Sequence, residues 1–161
     1  MRALIVLLMI ASCSKPAPGK DPDQLGREAT AAMKQYNDQS KDVEHWFPEL
    51  MSKLERKLLF DPAAAAKQLT DELLPKLDAY IATLDSAVTT AQLYLATGAD
   101  VGSATADTIG KLRQRLTALH TARDAFAKIQ LELGSGAMSA DKVEQIAKDL
   151  ASAGMALVAS P

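Results

Sequence analysis

The chain has 161 residues, a single cysteine and a formal net charge of −2, with one Trp, three Tyr and three Phe. A near-neutral chain has no electrostatic grip on nucleic acid or anionic lipid, so no nucleic-acid partner is expected. One cysteine excludes an internal disulfide framework and a thiolate metal cluster, and 29 alanines against few β-branched and aromatic residues mark an all-α protein.

The N-terminus is distinct from the rest. Arg2 supplies a positive charge, Ala3 to Ile10 an unbroken apolar run, and Ile10-Ala11-Ser12-Cys13 a small-residue end on the only cysteine. A membrane-crossing helix needs about 20 apolar residues, far more than this run provides. A charged start, a short apolar run and small residues form the pattern of a secretory signal. The segment resembles the lipobox of bacterial lipoproteins, an aliphatic residue, two small residues and a cysteine. That resemblance implies removal of residues 1–12, lipidation of Cys13 and attachment to a membrane through the lipid. It places the protein in the cell envelope on the extracytoplasmic side, or on the outer membrane facing the periplasm in a Gram-negative host. Residues 13–20 carry Pro16 and Pro18 and no apolar periodicity, as expected of a flexible tether. Residues 21–161 then form a single helical-bundle domain.

Asp21-Pro22 opens the first helix, an acidic N-cap followed by proline at the first helical position. Its apolar face runs through Leu25, Ala29, Met33, Tyr36, Val43, Phe47, Leu50, Leu54 and Leu58, with a polar gap from Asn37 to Asp42. Pro48 is expected to kink or break it, since proline removes a donor and clashes with the preceding turn. Asp61-Pro62 marks a tight turn into a second helix ending at Gly98, with Leu69, Leu73, Leu77, Ile81, Leu84 and Val88 on one face and an interruption at Pro75. A third helix carries Ile109, Leu112, Leu116, Leu119, Ala122, Phe126, Ile129 and Leu133 and stops at Gly134-Ser135-Gly136. Ser139 caps a fourth, with Val143, Ile146, Leu150, Gly154 and Leu157 on its face. Four amphipathic helices with short connections predict an up-down-up-down four-helix bundle with kinks at Pro48 and Pro75. An irregular bundle of six shorter helices, split at the two prolines, is the alternative.

Chemistry-bearing patterns are few. His45 and His120 lie on different helices, and zinc needs three or four protein ligands, so no metal site is expected. Thr121 to Phe126 is similar to the end of the last helix of periplasmic b-type cytochromes, but Ala127 stands where those proteins place a haem-ligating histidine; no cofactor is expected. Phosphate loops, nucleophile elbows and zinc-protease helices are absent from the sequence, so the chain does not read as an enzyme. The basic clusters Lys53/Arg56/Lys57 and Lys111/Arg113/Arg115 read as solvated stripes. Trp46, Phe47, Met51, Leu59 and Phe60 are the candidate partner-binding residues, because aromatic anchors dominate protein interfaces. The sequence thus points to a non-enzymatic interaction or scaffolding module with an envelope protein partner. The competing expectation is a ligand- or cofactor-binding bundle with an interhelical cavity lined by Met33, Tyr36, Tyr80, Tyr94 and Phe126.

Overall fold

The computed structural model describes residues 21–98, 102–135 and 138–159, all of them helical apart from short caps and turns. The signal segment, Cys13 and the tether lie outside the described residues. Helix α1 is Pro22–Phe60, α2 Pro62–Gln68, α3 Leu74–Leu95, α4 Gly102–Gly134 and α5 Ala140–Ala159. A π-helical turn, Leu69–Leu73, joins α2 to α3, so the described residues form four long helical rods.

The caps follow the sequence signals. Asp21 accepts from the Asp23 amide at 3.2 Å, and Asp61 accepts from the Ala64 amide at 3.0 Å while its own N–H donates to the Lys57 carbonyl. One aspartate therefore ends α1 and starts α2, satisfying groups that a helix end leaves unpaired. Ser139 Oγ accepts from the Lys142 amide at the head of α5. Gly98, after α3, has φ +77°, the left-handed region in which an L side chain is strained. Gly98→Ala should destabilise the protein by about 1–2 kcal/mol, read as a fall of a few degrees in the thermal midpoint; an unchanged midpoint would show that this turn is not held.

The two internal prolines are accommodated differently. Helix α1 is helical through Pro48, so it is not split there. Pro75 follows the π turn, in which the Leu74 amide donates to the Leu69 carbonyl, five residues back. Proline lacks the N–H that would reach Asp71, and its ring crowds that carbonyl. The wider turn loosens the ladder where the proline would obstruct it, and the chain continues as helix.

α1 packs on α3, α3 on α4 and α4 on α5, and α5 closes back on α1. Contacts between α1 and α3 run in opposite directions along the chain: Gly26 lies against Tyr94, Tyr36 against Tyr80 and Trp46 against Lys76. One core joins all the elements, with Leu54, Leu58, Leu69, Leu73, Leu77, Leu84, Leu119, Phe126, Ile146 and Leu150 almost wholly buried. Most of the large apolar residues on either side of the α1–α2 turn are part of this core; Leu59 and Phe60, at the turn itself, are exposed. Leu50, Met51, Leu54 and Leu58 of α1 and Leu69 and Leu73 of the π turn are buried within it. Leu116, expected at the centre of the α4 face, is half-buried. Gly154 lets α5 approach α1: a Cβ there would stand 3.1 Å from Met51 Cε and 3.7 Å from Phe47 Cζ.

Candidate functional site

The five candidate partner-binding residues do not form one surface. Phe47 and Met51 turn inward, 3 % and 8 % exposed, and are core residues rather than external anchors. The reason is helical period: Phe47 shares the buried row of Leu50, Leu54 and Leu58, and Met51 faces the close approach of α5 at Gly154. Trp46 is half-buried beside the bundle, its ring edge-on to Phe47 at 5.9 Å between centroids and the Lys76 ammonium 5.1 Å from the indole centroid. Leu59 and Phe60 are exposed, about 20 Å further along α1.

At that end of α1 the surface is apolar. Leu59 is 67 % exposed and Phe60 87 %, and Leu131, near the end of α4, is 69 % exposed. A shallow concavity of about 640 Å³ opens beside Phe60, which lines it with Pro62, Ala63, Ala66, Leu133 and Met138 among others. Leu131 was legible in principle, since it falls between Ile129 and Leu133 and off the buried stripe. The same holds for Met155 on α5, 66 % exposed and one residue past the buried Gly154.

The second feature is a polar layer inside the bundle. The rings of Tyr36 on α1 and Tyr80 on α3 stack at 5.8 Å and 16°. Arg115 Nη2 on α4 donates to Tyr80 Oη at 3.2 Å, and the Tyr80 hydroxyl is placed to donate to Ser40 Oγ at 3.2 Å or Tyr36 Oη at 3.4 Å. Burial, with the hydrogen bond to Tyr80 next, pushes the Tyr36 pKa well above the ordinary tyrosine value, so this hydroxyl stays protonated. The polar gap of α1 thus has a destination. Gln39 and Ser40 lie three and four residues after Tyr36, at core spacing, and turn toward α3 and not to open solvent. Arg115 carries the same signal, standing three residues after Leu112 and four before Leu119. It is half-buried in this layer, and not part of a solvated stripe with the exposed Lys111 and Arg113.

The residues expected to line one interhelical cavity separate instead. Tyr36 and Tyr80 stack on each other, Phe126 is fully buried edge-on to Phe47, and Tyr94 packs on Gly26 at the far end of α3. His45 and His120 are exposed on α1 and α4. Among the described residues no group of three His, Cys, Asp or Glu side chains gathers as a metal site would require, and no helix is long and apolar enough to cross a membrane. Compared with protein-family models, curated proteins and solved structures, the chain matches none.

Proposed function

We propose that the chain is a lipid-anchored, non-enzymatic interaction or scaffolding module of the bacterial cell envelope. It is held through the lipid on Cys13 on the extracytoplasmic side, and faces the periplasm from the outer membrane if the host is Gram-negative. The observation that carries the interaction reading is the apolar end of α1: Leu59 and Phe60 are exposed there, and Phe60 opens onto the 640 Å³ concavity it lines with Pro62, Ala63, Leu133 and Met138. Exposed apolar patches of this kind mark interaction sites more often than isolated exposed leucines do. α1 has 39 residues, which at 1.5 Å each span roughly 58 Å. A tether ending at residue 20 therefore puts the apolar end on the side away from the membrane, where it meets an envelope protein partner. An up-down-up-down order with bends at Pro48 and Pro75 is the arrangement we infer. It is supported by the opposed running of α1 and α3 and by the π turn that precedes Pro75.

The test is site-specific photo-crosslinking in intact cells. A photoreactive residue at Phe60 should give a discrete crosslinked species, and one at the exposed Asp124 of α4 should not. Phe60→Ser should weaken crosslinking from Ala63, which lines the same concavity, while changing stability by no more than about 0.5 kcal/mol, as exposed substitutions do. Equal, diffuse crosslinking from both positions would end the reading.

A further inference from the structure

We propose that the cleft between α1 and α3 beside Trp46 binds a neutral polyhydroxylated ring, a single sugar residue. The cleft measures about 220 Å³ and is lined on α1 by Gln39, Asp42, Val43 and Trp46 and on α3 by Lys76 and Tyr80. Pockets for drug-sized molecules and large cofactors run to roughly 300–1,000 Å³, so this one suits something smaller.

The chemistry of the lining narrows the class. Gln39 Oε1 is closed to solvent and has no hydrogen-bond partner in the chain. A buried polar atom left unpaired is costly and asks for an explanation. The terminal torsion of a glutamine is broad and soft, so Gln39 can turn its amide into the cleft it lines. A hydroxyl both donates and accepts, so it answers that amide whichever way round the group sits. An ammonium or a carboxylate answers only one orientation.

Charge points the same way. Asp42 and Lys76 contribute one negative and one positive side chain to the lining, so a ligand of either net charge meets a like charge. The two offer an acceptor and a donor, which a ring of hydroxyls can meet together. Half-buried Trp46 supplies an aromatic wall suited to the C–H face of a sugar ring, with the Lys76 ammonium held over the indole, 5.1 Å from its centroid. Tyr80, 2 % exposed and stacked on Tyr36, forms the base of the cleft. Behind the cleft, the Tyr80 hydroxyl is fixed by Arg115 and Ser40, so the base of the cleft is organised before any ligand arrives.

Trp46 is the single tryptophan of the chain, so its emission reports this cleft directly. Titration of the full chain with N-acetylglucosamine should give a saturable change in Trp46 fluorescence, with half-saturation at millimolar concentration. Gln39→Leu should weaken the response by about tenfold, the equivalent of one hydrogen bond. Asp42→Ala, at an exposed position that leaves the core untouched, should weaken it in the same direction. No saturable change, curves unchanged in both variants, or an equal response to acetate or zwitterionic glycine would each overturn the proposal. The readout is independent of the apolar end, which lies about 20 Å along α1 and contains no tryptophan.

Discussion

Replacing Phe126 with alanine should lower stability by about 3–5 kcal/mol, the usual cost of deleting a buried phenylalanine ring. Phe126 has no exposed surface. Its ring stands 6.5 Å from that of Phe47 at 66°, and Phe47 in turn meets Trp46 edge-on, so an aromatic chain runs from α4 into α1. Edge-to-face pairs contribute about 0.5–1.5 kcal/mol beyond the area they bury, and deleting the ring also leaves a void that the rigid helices around it cannot fully close. For a domain of this length each kcal/mol moves the thermal midpoint by about 2–4 °C, so a fall of about 6–20 °C is expected. Leu131→Ala, five residues further along α4 but 69 % exposed, should stay within about 0.5 kcal/mol. Thermal or urea melts of the two variants make the comparison. Equal losses would mean that the buried face of α4 is misplaced by part of a turn.

Replacing Cys13 with alanine should release the protein from membranes altogether. No helix among the described residues is long and apolar enough to cross a bilayer, so in the proposed arrangement the acyl chains on Cys13 carry the attachment. Each buried methylene contributes about 0.8 kcal/mol, and two or more chains make anchoring stable. With alanine at 13 that whole contribution disappears, and the chain's net charge of −2 offers no electrostatic hold on an anionic surface in its place. Fractionation of cells expressing the two forms should find the wild type with membranes and the variant in the soluble fraction. Retention of the variant after a high-salt wash would mean that something other than Cys13 holds the protein.

Together, the Phe126, Cys13 and Phe60 changes separate three properties. Phe126→Ala tests the fold, Cys13→Ala the location and Phe60→Ser the contact surface. The last two are expected to leave the helices intact. Phe60 is 87 % exposed at the end of α1, where the side chain packs little and its removal opens no void.

What the sequence determined by itself is what short-range physics controls. Helix content follows from the alanine-rich composition and from apolar residues recurring every three or four positions. The helix starts at Asp21-Pro22, Asp61-Pro62 and Ser139 follow from the capping chemistry of those side chains, and the turn at Gly98 from its freedom at positive φ. Most of the buried stripe of α1 from Leu25 to Leu58 could be read from the sequence, because 3.6-residue periodicity maps a linear pattern onto one face; Met33 is only half-buried, and Met51, off that pattern, is buried. Even the polar gap at Asn37–Asp42 was visible as an interruption of that stripe. Tertiary structure decided what the pattern left open. Nothing local says that Ser40 would meet the Tyr80 hydroxyl on α3, or that Arg115 on α4 would donate to it, because these partners lie 40 and 35 residues apart in the chain. Nothing local says how Pro75 is absorbed either: the π turn depends on the helix being held on both sides by packing, so that widening one turn costs less than breaking the rod. Phe47 and Phe60 are chemically identical and only 13 residues apart on one helix, yet one is buried and the other exposed. α4 and α5 cover the first, whereas α1 ends at the second and its side chain is left 87 % exposed.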